Sequence, residues 1–348
     1  MIDFKILVAD KIIRFKSEDP ALDYCACEQR EFKRFLYQGS QEADIVFEIK
    51  YAAPPVFKDK EILFNVDENW TLSRYKDKVI FEYPDRAVQG RVESLAQINE
   101  DMSEGIIYSN GERTPEQKEK LRRQRLLNMT EAEKAAPDQR RKRRKEKGLQ
   151  HKKKPPKEMT PEELGRRVMA TIKANFFQAF LIEYLVKQKI GFLLHCASVQ
   201  HGEELYLFMG QTQAGKSTIS ELWHNLAGAK VFNDDRAIIR AENGTAYFYN
   251  APWVGSLGRK CELPSENMTK IDRIFFIYHQ SHNVLKRLKP TEAVAKIFRS
   301  SFPVFWQKDA LGFVLEACTK IASSVPCYDL GFMPDESAVG FLKRELKL

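Results

Sequence analysis

Apolar and polar residues alternate through residues 4–8, 45–49, 62–66, 71–75 and 79–83. A period of two puts every second side chain on one face, the pattern of half-buried strands. Asp67-Glu68-Asn69 and Lys76-Asp77-Lys78 carry turn-forming residues between such runs. The first hundred residues therefore predict a mainly β region with one helix near 28–37. They hold no chemical motif, and a docking or scaffold role is the expectation for them.

A different rhythm begins at Thr160-Pro161-Glu162-Glu163. An N-cap hydroxyl, a proline at the first helical position and a glutamate three residues past the cap start a helix. Its apolar residues Phe176, Phe177, Phe180, Leu181, Tyr184 and Leu185 make it a core helix to about Lys187. Strands are then expected at 192–199, 205–209, 229–233, 237–240 and 245–250, with a helix at 218–226. Only about five residues, 200–204, separate the first two strands. A parallel crossover needs a dozen or more, so these strands are expected to be antiparallel neighbours. Ala241-Glu242-Asn243-Gly244 is a hairpin signal. The expected fold is α/β of the α+β kind: a mixed, largely antiparallel sheet, preceded by the mainly β region.

Composition adds the division of the chain. Its 348 residues suggest about two units, and 43% hydrophobic with 11% aromatic residues exclude wholesale disorder. The net charge of +8 is local. Residues 111–157 carry 18 Lys or Arg against 7 Asp or Glu, a surplus of +11 that leaves −3 for everything else. The expected organisation is a β region at 1–108, a basic, disordered insertion at 109–159 and a catalytic domain at 160–348. The densest charge run is Arg140 to Lys145. Such an arm either stays solvated or attracts an acidic partner by charge. It lacks interleaved aromatics for stacking bases, which weighs against nucleic acid. No apolar run is long enough for a membrane span and no leader is visible, so the six cysteines are expected to be reduced thiols of a cytoplasmic protein, with no zinc site.

The chemistry lies where the second strand ends. Gly210-Gln211-Thr212-Gln213-Ala214-Gly215-Lys216-Ser217 matches G-x-x-x-x-G-K-[ST] and runs through Thr218 into a helix. In such a loop, backbone N–H groups wrap phosphate oxygens, the lysine reaches the outer phosphates and the hydroxyl ligates Mg²⁺. ATP or another nucleoside triphosphate, with Mg²⁺, is the expected ligand. After the next strand comes Asp234-Asp235. Two carboxylates there suit a metal ion and a proton taken from an attacking hydroxyl.

The ordered series His195-Cys196-Ala197-Ser198, the P-loop ending Gly215-Lys216-Ser217, and Asp234-Asp235 resembles the core of HPr kinase/phosphorylase and of phosphoenolpyruvate carboxykinase. Asn250-Ala251-Pro252-Trp253 and the closing Pro326-Cys327-Tyr328-Asp329-Leu330 strand look like stand-alone HPr-kinase-like proteins. The resemblance covers about 176–348 and implies γ-phosphoryl transfer to a hydroxyl, with serine in a protein or peptide as the expected acceptor. It implies His195 facing the transferred group, one of Asp234 and Asp235 as general base and the other as metal ligand, with Asp235 written beside Ser217 at the metal. A charge-neutralising arginine is expected on general grounds, and Arg259 is the candidate. The glycine-rich signature of HPr kinases has no counterpart, so neither HPr as acceptor nor the reverse reaction is expected. Two alternatives stay open: a nucleotide-binding module without catalysis that captures a partner, and a small-molecule hydroxyl kinase. The resemblance is compatible with a homo-oligomer.

Overall fold

The computed structural model describes residues 1–26, 30–66, 70–84, 92–109, 159–253, 255–258, 260–262 and 267–348. Residues 110–158 of the expected basic insertion, the loop expected at 67–69 and Arg259 lie outside these. Contact density divides the chain into two units. One comprises residues 1–3, 15–24 and 46–176, the other 4–14, 25–45 and 177–348.

Eight strands of the N-terminal part form one sheet in the order β1-β2-β3-β8-β7-β6-β5-β4. They are β1 Ile2–Val8, β2 Lys11–Ser17, β3 Ile45–Lys50, β4 Glu61–Val66, β5 Trp70–Tyr75, β6 Lys78–Pro84, β7 Val92–Asn99 and β8 Glu104–Ser109. The alternation seen in sequence is literal in β3, where Ile45, Phe47 and Ile49 are buried and the residues between them are half-exposed. Strands β4 to β8 form an antiparallel meander, and β8 closes parallel to β3. In the first unit Phe176 meets Phe47 edge-on at 5.2 Å and Phe81 at 5.7 Å.

Of the helix expected at 28–37, the described residues hold one turn, α1 Arg30–Lys33. Residues 35–37 leave it to bond β1: Leu7 N–H donates to Phe35 O and Tyr37 N–H donates to Lys5 O. Strand pairing satisfies more backbone groups there than another helical turn would. The six-thiol expectation also needs correction, because Cys25 is disulfide-bonded. Cys196, Cys261, Cys318 and Cys327 are free and buried.

The capping box exists as expected: Thr160 accepts from Glu163 N–H, and Glu163 accepts from Thr160 N–H. It starts α2 Pro161–Ile172, which passes through a π-helical turn, Lys173–Phe177, into α3 Gln178–Lys187. Nine strands follow: β9 Phe192–His201, β10 Glu204–Met209, β11 Lys230–Asn233, β12 Arg236–Glu242, β13 Thr245–Asn250, β14 Met268–Lys270, β15 Arg273–His279, β16 Val284–Arg287 and β17 Cys327–Phe332. The helices among them are α4 Lys216–Ala227, α5 Pro290–Ser300, α6 Lys308–Ser324 and α7 Ser337–Leu346. The sheet order is β14-β13-β12-β9-β10-β15-β17-β16, with β11 also on β9. Only the β10–β15 and β15–β17 pairs are parallel. The fold is α+β with a mixed sheet, and β9 and β10 are antiparallel as their short link requires.

Period two divides the core of this sheet into two layers. Leu205, Leu207 and Met209 of β10 join Ile297 of α5 with Val314 and Ile321 of α6. Tyr206 and Phe208 join Ile219 and Trp223 of α4 with Leu342 of α7 on the other layer. All of these side chains are fully buried or nearly so. Truncating one such aromatic to alanine costs about 3–5 kcal/mol, so the sheet is a stiff platform for the loops at its rim.

Candidate functional site

Strand β9 is ten residues long and bonded on both edges. On one edge it pairs with β10 in a register that sets Met209 opposite Cys196. The glycine-rich loop therefore leaves the sheet one residue further on, level with His195. The other edge is shared by two strands in succession. Strand β12 pairs with 192–195, Arg236 opposite His195, and β11 pairs with 198–200 after a bulge between Val231 and Asn233. The chain crosses from β11 to β12 through Asp234-Asp235, so the acid pair must face the middle of β9. Register alone brings the three sequence segments together.

The loop itself is tightly set. Gly215 caps α4 with φ +93°, a left-handed conformation that suits glycine, and a Cβ there would lie 2.7 Å from Phe332 Cζ. The backbone of the loop is held from outside by His279, whose Nε2–H donates to Gln213 O at 3.0 Å. Lys216 folds back over the loop, its Nζ donating to Gly210 O at 2.9 Å and Gln211 O at 3.2 Å. Burial pulls its ammonium below the usual lysine range, opposed by Cys196 and Asp235. A buried cation at a helix N-terminus is a receptor for phosphate oxygens.

The two aspartates do different things. Asp234 is 4% exposed and gripped by the following loop. Gly255 N–H donates to its Oδ1 at 2.7 Å and Leu257 N–H to its Oδ2 at 2.8 Å. Ser256 Oγ lies 3.3 Å from Asp234 Oδ2 and 3.0 Å from Ser217 Oγ. The acid joined to Ser217 is thus Asp234, through one hydroxyl. Asp235 turns instead to His195, whose Nδ1 is 2.8 Å from the Asp235 main-chain oxygen and 3.4 Å from Oδ1. Arg236 NH1 lies 3.4 Å from Asp235 Oδ2. Burial raises the Asp235 carboxyl, but the His195 hydrogen bond together with the charges of Arg236, His195 and Lys216 outweighs it and leaves Asp235 below the usual range.

Asn233 fixes this turn, and nothing in the sequence motif marks it. It is fully buried. Its Nδ2 donates to Trp253 O at 2.7 Å, Asn250 Oδ1 at 2.9 Å and Ala251 O at 3.3 Å. Its Oδ1 accepts from Asp235 N–H at 2.9 Å and Arg236 N–H at 3.1 Å. The Asn250-Ala251-Pro252-Trp253 segment is therefore the far wall of the acid turn. A polar residue ending an apolar strand just before two acids was the available signal.

His195, Gly210, Gln211, Thr212, Asp235 and Arg236 line one cleft of about 970 Å³. Its lining also includes Lys296 and Arg299 of α5 and Phe302 just past the end of that helix. Arg236 was missed by the sequence reading because it begins an ordinary strand. Its guanidinium carbon lies 5.9 Å from the Trp253 ring centroid and 5.6 Å from that of Phe302, so two aromatic faces support it. The candidate arginine of the sequence, Arg259, is outside the described residues.

The residues present fit a nucleotide phosphate and a hard cation. A glycine-capped helix start and a buried lysine suit the anion, while Ser217 and the two carboxylates offer only oxygen donors, which Mg²⁺ prefers. No protein-family model and no curated protein matches the chain. Among solved structures, the Hpr(Ser) kinase/phosphatase from Coxiella burnetii is a weak neighbour, with a TM-score of 0.26 and 10% identity over 44% of this chain and 95% of that one. Among the described residues no helix is long and apolar enough to cross a membrane.

Proposed function

We propose that this chain is a kinase that moves the terminal phosphoryl group of ATP or another nucleoside triphosphate onto a hydroxyl of a protein or peptide. Gln211 to Thr218, with Lys216, grip the phosphates. Ser217 and Asp234 would hold Mg²⁺, which would neutralise phosphate charge when bound. Asp235, kept ionised by its neighbours, accepts the proton of the acceptor hydroxyl. The acceptor oxygen bonds to the γ-phosphorus while the bond from that phosphorus to the β–γ bridging oxygen breaks, leaving the nucleoside diphosphate. Because a carbonyl can only accept, His195 donates from Nδ1 to the Asp235 main-chain oxygen, and Nε2 is the ring atom left to meet the transferred group. Arg236 stands beside the base and offsets negative charge as transfer proceeds.

The observation that carries this reading is the joining of His195 to Asp235 next to a phosphate loop that is itself tied to Asp234. The test is incubation of the full chain with labelled ATP, Mg²⁺ and serine-containing peptides. Lys216→Ala and Asp235→Asn should each lower transfer by at least about 10²-fold, with nucleotide affinity falling mainly in Lys216→Ala. Equal transfer by all three proteins would remove the assignment. Nucleotide-dependent capture of a partner without transfer would make the chain a binding module instead.

A further inference from the structure

The charges that line the cleft do not balance, and the surplus is positive. Three of the positive side chains lining it are Arg236, Lys296 and Arg299; the negative ones are Asp235 and Asp329. Arg236 faces Asp235 at 3.4 Å and Lys296 faces Asp329 at 2.9 Å. Arg299 is exposed and has no ion pair or hydrogen bond among the described residues. Its backbone is nonetheless fixed. Ser301 bridges to Leu194 and Phe302 N–H donates to Leu193 O at 3.0 Å, pinning the end of α5 beside His195. An exposed guanidinium carried on a fixed backbone, in the lining of a cleft that also includes Phe276, Tyr278 and Phe302, is a receptor for a carboxylate. The cleft's volume of about 970 Å³ is at the upper end of small-ligand sites and admits a stretch of chain.

Resting on the kinase reading, we propose that Arg299 selects the acceptor: the hydroxyl is carried by a peptide segment with Asp or Glu beside it, and Arg299 binds that carboxylate. Arg299 is a specificity residue and takes no part in the transfer.

The experiment uses the full chain and three fluorescent serine peptides that differ only in flanking residues, acidic, neutral or basic, with binding read by anisotropy in the presence of ADP and Mg²⁺. The acidic peptide should bind at least about tenfold tighter than the neutral one, and added salt should erode the difference. Arg299→Ala should remove the preference, Arg299→Lys should restore part of it, and Arg299→Glu should turn it toward the basic peptide. Equal affinity of the three peptides for the unmodified chain would overturn the inference. So would an acidic preference that survives in Arg299→Ala, because it would belong to the basic run at 140–145. The predicted binding without phosphoryl transfer would overturn the kinase reading alone, whereas transfer without charge preference would overturn this inference alone.

Discussion

His195 and Asp235 meet twice, at the main-chain oxygen at 2.8 Å and at the carboxylate at 3.4 Å. The main-chain contact needs a donor at the Nδ1 position. Asparagine can supply one there but has no counterpart of Nε2. His195→Asn is expected to keep the fold within about 1 kcal/mol and to lower transfer by about 10²-fold or more, while His195→Ala also loses the hydrogen bond. Urea unfolding alongside turnover of labelled ATP separates the two effects. Full activity in His195→Asn would exclude a chemical role for Nε2.

Asn233 makes five hydrogen bonds from a fully buried site. Asn233→Ala strands two backbone donors and several acceptors, at an expected cost of about 3 kcal/mol. Asn233→Asp keeps the acceptor toward Asp235 N–H and Arg236 N–H but aims a carboxylate at Trp253 O and Ala251 O. It should be no more stable than Asn233→Ala, and denaturant melts of the two proteins decide the point.

Gly215 offers a sharper steric test. Alanine there combines a left-handed backbone with a Cβ at 2.7 Å from Phe332 Cζ. A loss of about 1–3 kcal/mol is expected, with nucleotide affinity falling further because the loop must shift. Adding Phe332→Leu to Gly215→Ala should recover part of the stability and little of the binding, as read by thermal melts and ADP titration.

Glu183 of α3 is buried, and its carboxyl is pushed up to about 7, chiefly by desolvation, against the pull of Lys187, Gln307 and Trp306. A folded-state value above the ordinary 4.5 means that the native chain holds the proton more tightly than the unfolded chain. Stability is therefore fullest below about 4.5 and declines as pH rises toward about 7, by about 3 kcal/mol in all. Glu183→Gln should flatten that slope, matching the unmodified chain near pH 4 and exceeding it by about 2–3 kcal/mol near pH 8. Equal slopes in urea titrations at the two pH values would refute this.

Much of the C-terminal half is legible in the sequence because its signals are local. The turn glycines around Lys216, the Thr160 capping box and the short link between β9 and β10 each depend on a few adjacent residues. The missed features depend on residues distant in number. Strand β15 is an apolar run without a motif, and its parallel place beside β10 is set by a partner more than sixty residues earlier. Arg236 and Arg299 reach one cleft only because β12 and the end of α5 both bond β9. In the N-terminal part the period-two runs of β1 and β3 to β6 were visible, but β2, β7 and β8 were not. The β1–β2 hairpin turns through Ala9-Asp10, both at positive φ, without the Asn-Gly or Asp-Gly pair that usually announces such a turn.

Asp10 has a second consequence. Its Oδ2 accepts from the Tyr249 hydroxyl at 2.8 Å and lies 3.3 Å from Arg240 NH1, within the unit that also holds 177–348. Cutting the gene at codon 160 would thus strip β12 and β13 of an anion contributed by the opening hairpin. A recombinant fragment so trimmed should be prone to precipitate, and co-expression of residues 1–45 in trans is the natural remedy to try.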